Sequence, residues 1–116
     1  MHVIADRVSD TSTTTGTGNI TVANAAPTGF RTFDNVAVTD DTFDYEIAHR
    51  TINEWETGRG RYNGSHVFVR EFVTASSNSG ALVNFSAGTK DVFLTNPAQR
   101  IAFSAAALLQ ADFGSI

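Results

Sequence analysis

The sequence contains no cysteine, one lysine and two prolines. Without cysteine, the chain has no disulfide and no thiolate for a metal or redox site. Its eight basic residues are outnumbered by twelve acidic ones, and the net charge of −4 argues against sequence-independent nucleic-acid binding, which needs clustered lysine and arginine. No segment approaches the roughly 18 apolar residues of a membrane span, and Met1 to Arg7 shows no basic leader before an apolar run. We therefore expect neither a membrane anchor nor a signal peptide.

What the sequence does contain is enough apolar material for one hydrophobic core. Its 116 residues are the usual size of a single domain, and 41% of them are hydrophobic while 17% are charged. This balance argues against global disorder. We predict a single domain over residues 1–116, divided into an extended N-terminal arm (1–19), a β core (20–95) and a C-terminal helix (96–113).

The arm is predicted from residues 9–19, a run rich in Thr, Ser and Gly that contains no apolar side chain. An isolated domain would lose conformational entropy by ordering this run while burying almost no apolar area. Two interpretations stay open, a flexible linker and an arm that orders only against a neighbouring subunit.

Alternation of apolar and polar residues predicts the strands of the core. It is clearest from Thr42 to His49, where Phe43, Tyr45 and Ile47 alternate with polar residues, as in a strand with one buried and one solvated face. Several such short runs with frequent turn signals predict a mainly β fold. The expected architecture is a small antiparallel β-sandwich or barrel with an extended N-terminal arm and one C-terminal helix.

The same alternation predicts which side chains of the other runs are buried. Trp55 is expected in the core, with Glu54 and Glu56 facing water, and residues 58–61 (Gly-Arg-Gly-Arg) are expected to form a turn. The remaining predictions are core positions at Val67, Val69 and Phe72 and a strand-like segment from Phe30 to Phe33.

The C-terminal helix is predicted from its start signal and its periodicity. Asn96 is a favourable N-cap, Pro97 suits the first helical position, and the following Ala- and Leu-rich run places Leu108 and Leu109 on one apolar stripe. The stripe favours a helix that covers its own barrel or sandwich, and packing against a neighbour's copy stays open.

No catalytic constellation is evident. His2, His49 and His66 are far apart, and none has the spacing of a metal site. No Gly-x-Ser-x-Gly motif frames a serine nucleophile, and no glycine-rich phosphate loop is present. We expect no enzymatic activity and no cofactor.

Clustered carboxylates are the one feature that suggests ion chemistry. Asp40, Asp41 and Asp44 lie close in sequence, which is typical of a solvated acidic turn but also compatible with a Ca²⁺ site, although the spacing of an EF-hand is absent. Glu54 and Glu56 flank Trp55 in the way that strand alternation produces.

Four stretches resemble a known family. They are Asp6 to Gly18 with its run of threonines, Gly29 to Phe33, Trp55 to Tyr62, and Ser76 to Ala98. In this order they are similar to small virion proteins of tailed bacteriophages and prophages, and to the N-terminal module of phage tail-fibre-type proteins. The chain differs from the fibre version in stopping at Ile116, which argues against host-receptor recognition by it. The resemblance implies a structural role and carries over no catalytic or cofactor residue.

The resemblance and the neutral polar surface together predict a non-enzymatic virion structural protein. The expected role is a tail or neck adaptor that attaches fibres or neighbouring tail proteins through a homo-oligomer. Two alternatives stay open. One is a capsid decoration or head-fibre protein, and the other is a carbohydrate-binding or depolymerising module in which Trp55, Tyr62 and Tyr45 provide stacking surfaces.

The expected partners are further copies of the chain and other phage tail, neck or fibre proteins, with no nucleic acid and no membrane. The expected location is the virion, assembled in the cytoplasm of the bacterial host. The residues expected at the assembly interface are Thr13, Thr14, Thr15, Arg59, Arg61, Lys90, Leu108 and Leu109.

Overall fold

The structure is a computed structural model, and it describes residues 1–95. In this part of the chain, six strands form one antiparallel sheet in the order β1-β6-β3-β4-β5-β2. A four-residue helix, α1, lies between β2 and β3. The bounds are β1 Ser9–Ser12, β2 Ile20–Thr21, α1 Phe33–Val36, β3 Thr42–His49, β4 Trp55–Gly64, β5 Val67–Ser76 and β6 Lys90–Leu94.

The sheet curls until its two edge strands approach each other. The N–H of Ala23, just beyond β2, donates to the carbonyl of Thr11 in β1 over 2.8 Å, and the Ser12 hydroxyl donates to the carbonyl of Thr21 over 2.6 Å. The result is a nearly closed six-stranded barrel. The predicted mainly β fold is therefore confirmed in its barrel form, whereas the predicted helix 96–113 lies outside the described residues.

Aromatic side chains fill the interior. Phe43, Tyr45 and Ile47 of β3 are fully buried, which confirms the inner face predicted for this strand, whereas Asp44 on the predicted solvated face is buried too. The ring of Phe68 from β5 lies 5.3 Å from that of Phe43 and 5.2 Å from that of Tyr45, within the range of favourable ring contacts. The core also includes Val8, Ile20, Val22, Phe33, Ala37, Tyr62, Val83, Phe85 and Val92.

Strand β4 makes room for these rings with glycine. A Cβ on Gly58 would collide with the carbonyl oxygen of Phe72 and the hydroxyl of Tyr45, and one on Gly60 would lie 3.0 Å from atoms of two phenylalanine rings. Residues 58–61 lie in the middle of strand β4. The prediction of a turn there was wrong because glycine serves here for close packing, which strand glycines also do.

The predicted faces of β4 and β5 were inverted. Trp55 is 38% exposed whereas Glu56 is fully buried, and in β5 the buried residues are Phe68 and Arg70. The predicted core residues Val67 and Val69 are half-buried and Phe72 is 52% exposed. Register shifts between β4 and β5 add to the error, because each bulge changes the phase of alternation along β5.

The N-terminal arm is also partly different from the prediction. Ser9–Ser12 form β1, pair with β6 and contain three buried residues, so this part is a wall strand of the barrel. The loop after it, residues 13–19, is largely exposed. Its polar sequence did not reveal β1, because backbone hydrogen bonds order that strand with little apolar burial.

The segment from Phe30 to Phe33 leads into α1 instead of forming a strand. The side chain of Asn35 accepts a hydrogen bond from the Thr32 N–H over 2.9 Å, which satisfies a backbone donor at the start of the helix. Phe33 is fully buried, and its ring lies 5.1 Å from that of Phe43. The short helix thereby closes one end of the barrel.

Candidate assembly surface

The outer face of β4 carries the arginines that the sequence assigns to an interface. Alternation with the inward Glu56, Gly58, Gly60 and Tyr62 turns Trp55, Thr57, Arg59 and Arg61 outward. Across the sheet, Arg59 lies opposite Phe72 and Arg61 lies opposite Val69. Opposite residues of an antiparallel pair share a face, so this surface alternates cationic and apolar side chains.

Glu71 sits in the bulge between these pairs and binds both arginines. Its carboxylate lies 3.7 Å from the Arg59 Nε and 3.4 Å from the Arg61 Nε, and Arg61 also lies 3.5 Å from the Asp40 carboxylate. All these side chains are at least one-third exposed, so the pairs add little to the stability of the barrel. They place Glu71 between the two guanidinium groups, with Arg59 opposite the exposed Phe72.

Large apolar side chains are also exposed near the start of β4. Trp55 is 38% exposed, and its N–H and carbonyl are bonded to Ser77 of the following turn. Ile52 before it and Leu82 after that turn are 45% and 40% exposed. Trp and Arg are enriched in the energetic centres of protein interfaces, and Phe is enriched in the buried cores of interfaces. We call the outer face formed by Trp55, Arg59, Arg61, Glu71 and Phe72 the aromatic–arginine face.

The three threonines predicted for the interface lie in the exposed loop between β1 and β2. Thr13 and Thr15 are exposed, whereas Thr14 is half-buried and folds back on the barrel. The Thr14 hydroxyl accepts a hydrogen bond from the Thr21 N–H over 3.1 Å and donates to the Thr21 carbonyl over 3.3 Å. These residues are at a different part of the barrel wall from β4.

Lys90 does not lie at an exposed corner. It begins β6, opposite Ser12 of β1 and His49 of β3, and only 1% of its surface is exposed. Its Nζ has no hydrogen-bond partner in the described part of the chain, and burial lowers the pKa of its ammonium group. The expectation of a surface contact at Lys90 therefore needs correction, since its alternation in β6 directs it inward. Leu108 and Leu109 lie outside the described residues.

The interior contains an ion pair that sequence reasoning missed. The Arg70 guanidinium donates to the Glu56 carboxylate over 3.0 Å, and both side chains are almost completely buried. The Tyr45 hydroxyl donates to the second carboxylate oxygen over 2.6 Å, so burial and this bond raise the pKa of Tyr45. The signal was available, because counting back in twos from the apolar Tyr62 places Glu56 on the inner face.

The same ion pair fixes two loops to the barrel. Arg70 also donates to the carbonyls of Gly16, Gly18 and Val83 at 3.0 to 3.1 Å. The Glu56 carboxylate accepts the N–H of Val83 over 2.8 Å. Because both charged groups are buried and bonded to each other and to the backbone, this cluster ties the two loops to the barrel.

A second polar cluster lies at the end of the barrel closed by α1. Asp34 of α1 accepts a hydrogen bond from the Tyr62 hydroxyl, and its other oxygen lies 2.8 Å from the Nδ1 of His66. Burial, together with this bond, raises the pKa of Tyr62. His66 and the preceding Ser65 form the β4–β5 turn with φ of +65° and +53°, as in a type I′ hairpin turn. The cluster joins the helix to that turn.

The acidic residues that suggested a cation site are not brought together. The Asp41 carboxylate binds the N-terminal ammonium over 3.2 Å, that of Asp44 lies 3.3 Å from the His2 Nε2, and Asp40 points towards Arg61. Within residues 1–95, no group of three or more His, Asp or Glu side chains is arranged to hold a metal ion.

Comparisons with models of protein families, with curated proteins and with solved structures find no match. Within residues 1–95, no helix is long and apolar enough to cross a membrane.

Proposed function

We propose that this chain is a non-enzymatic structural protein of a tailed-bacteriophage virion. Its role there is that of a tail or neck adaptor, which attaches fibres or neighbouring tail proteins through a homo-oligomer. The sequence resemblance supports the virion assignment, and the aromatic–arginine face supports a role in protein–protein contact.

The contact role rests on the exposed Phe72 ring, which lies opposite Arg59, with Arg61 at the next outward position of β4. At 52% exposure the ring leaves apolar surface in water that a partner would cover. Arg59 and Arg61 supply donors at its side, already oriented by Glu71, so a partner's carboxylates or carbonyls would find them in place. This combination of an apolar centre with oriented charges is typical of protein interfaces.

The test is incorporation of variants into particles. Phe72→Ser is expected to lower the number of copies per purified particle, measured by quantitative mass spectrometry, while the melting temperature of the isolated chain stays close to that of the wild type. Val38→Ser is the matched control, because Val38 is an exposed apolar residue, 70% accessible, outside the aromatic–arginine face. Particles that contain no copies of the chain at all would refute the virion assignment.

Copy number also distinguishes the adaptor from a capsid decoration or head-fibre protein. An adaptor is expected in numbers similar to those of the portal and tail-ring proteins, whereas a decoration protein is expected in numbers similar to the capsid subunits. A ratio near that of the capsid protein would replace the adaptor role with the decoration role.

A carbohydrate-binding module is favoured by one observation, the partial exposure of Trp55. Of the three aromatic residues suggested for stacking, Tyr45 and Tyr62 are only 0% and 1% exposed, which leaves Trp55 as the stacking surface. Glycan-array binding that is lost in Trp55→Ala, with the fold retained, would favour this function over the adaptor.

A further inference from the structure

The N-terminal segment, residues 1–12, is held to the barrel mainly by hydrogen bonds. Ser9–Ser12 pair with β6, the Val3 N–H donates to the Thr42 carbonyl over 2.7 Å, and the Ser9 N–H donates to the Arg31 carbonyl over 3.0 Å. Val8 is the one hydrophobic residue of the segment that is fully buried. The inward residues of β1 are otherwise polar, so little hydrophobic burial retains this strand.

The interface between β1 and β6 contains two buried charged side chains, each with an atom that lacks a hydrogen-bond partner within residues 1–95. Asp10 is fully buried; its Oδ1 accepts the N–H groups of Thr11 and Ala25, but its Oδ2 has no hydrogen-bond partner in residues 1–95, and neither has the Nζ of Lys90. Buried polar atoms without partners are unfavourable relative to water. Detachment of β1 would hydrate the Asp10 Oδ2 and the Lys90 Nζ, which offsets part of the free energy lost on opening.

The sheet does not depend on β1 for its continuity. It is an edge strand in the order β1-β6-β3-β4-β5-β2, and its removal leaves the other five strands paired as before. Detachment exposes the edge of β6, which is a template for an incoming strand of the same sequence. A terminal strand attached through a loop is the kind of element that identical chains exchange.

The loop after β1 supplies a hinge with a defined limit. Arg70 binds the carbonyls of Gly16 and Gly18, and Gly16 also exchanges two backbone hydrogen bonds with Phe85, so the loop is fixed from Gly16 onward. The movable residues are Thr13 to Thr15. Three consecutive β-branched residues favour an extended backbone, which gives the segment the reach to a neighbouring barrel.

We infer that residues 1–12 exchange between copies, with β1 of one chain pairing with β6 of the next. This builds on the homo-oligomeric part of the proposed function and identifies the partner as a second copy of this chain. The exchanged strand makes the same backbone bonds as in the closed chain, and Thr14 acts as the latch of the closed form through its bonds to Thr21.

The absence of cysteine makes a disulfide test direct. Thr11 of β1 and Asp91 of β6 are direct partners on the outer face, so the pair Thr11→Cys with Asp91→Cys has the geometry for a bond across this interface. After oxidation of the full-length chain at the concentration where native mass spectrometry detects oligomers, exchange gives covalently linked chains on a denaturing, non-reducing gel. Glu46→Cys with Thr57→Cys, a direct pair between β3 and β4, is the control and gives monomers.

The outcomes separate this inference from the proposed function. Oligomers in native mass spectrometry with only monomers on the denaturing gel would refute exchange and leave the homo-oligomer in place. A chain that is monomeric at every concentration would refute both. Linked chains with the β1–β6 pair but not with the control would support exchange.

The latch gives a second, independent measurement. Thr14→Val removes the bonds to Thr21 and retains β-branching, so it is expected to lower the concentration at which linked chains appear by roughly tenfold, the effect of about two lost hydrogen bonds. Thr17→Val, in the fixed and exposed part of the same loop, is expected to change nothing. Equal behaviour of the two variants would refute the role of Thr14.

Discussion

Strand β3 and the hairpin formed by β4 and β5 lie side by side in one barrel, yet only β3 fills its inner face mainly with apolar residues, with His49 at its end as the exception. In β3 the inward residues include Phe43, Tyr45 and Ile47. In β4 and β5 they include Glu56 and Arg70, while Trp55 and Phe72 face outward. The difference shows that a charged residue can be an inner-face residue when its opposite charge comes from the neighbouring strand.

Mutual dependence explains why this arrangement is stable. Glu56 binds Arg70, Tyr45 and the Val83 N–H, and Arg70 binds three backbone carbonyls in addition to Glu56. A buried charge with a complete set of partners avoids the desolvation penalty of an isolated one. The inward glycines of β4 then leave room for the rings of β3 and β5 that surround the pair.

The largest expected effect comes from removing one member of the ion pair. Arg70→Met leaves the Glu56 carboxylate buried without its counter-charge and frees two loops, so we expect a loss of about 3–5 kcal/mol in the free energy of unfolding. Denaturant unfolding at neutral pH measures it. Ile47→Val removes one methyl group from the apolar inner face of β3 and is expected to lower the free energy of unfolding by only about 1 kcal/mol.

A double-mutant cycle sharpens this prediction. Glu56→Gln combined with Arg70→Met is expected to be less destabilising than the sum of the two single changes, by roughly 1–3 kcal/mol. The reason is that the double mutant retains neither charge of the pair, so no buried charge is left without its partner. Additive effects would show that the two groups do not stabilise each other, and the account of the inverted faces would then fail.

A smaller loss is expected from a methyl group on the inner face of β4. In Gly58→Ala the new Cβ meets the Phe72 carbonyl and the Tyr45 hydroxyl, and overpacking of this kind costs about 1–3 kcal/mol. Gly18→Ala is the control, because nothing lies within 4 Å of a Cβ there. Equal melting temperatures of the two variants would contradict the packing role of Gly58.

These positions show how much the sequence could reveal. Alternation identified the inner face of β3 and the mainly β class, because there hydrophobic burial alone sets the phase. It failed where another force sets the phase: ion pairing for Glu56, hydrogen bonding for Ser9–Ser12, and close packing for Gly58. Of the interface candidates, Arg59 and Arg61 were selected as turn residues, yet strand alternation places them outward. Phe72 was missed because bulges shift the phase of β5.

Lys90 provides the last test of this comparison, because it is an inward charge next to β3 whose Nζ has no hydrogen-bond partner within residues 1–95. It lies opposite His49, and burial lowers its pKa despite the attraction of Glu54. Lys90→Met is expected to raise the free energy of unfolding at pH 7 by about 1–2 kcal/mol, since it removes an unsatisfied buried group of similar length. Arg70→Met is the same kind of change at a paired charge, and it is expected to lower the free energy of unfolding.

The pH dependence of this gain separates a charge effect from better packing. An unfolded chain has the ordinary lysine pKa of about 10.4, so between that value and the lower pKa of folded Lys90 it binds more protons than the folded chain. The stability of the wild type therefore rises with pH through this window. The advantage of Lys90→Met is expected to shrink as the pH approaches 10.4, while the raised pKa values of Tyr45 and Tyr62 affect both proteins equally. A constant difference in stability across the window would show that Lys90 acts through packing and not through its buried charge.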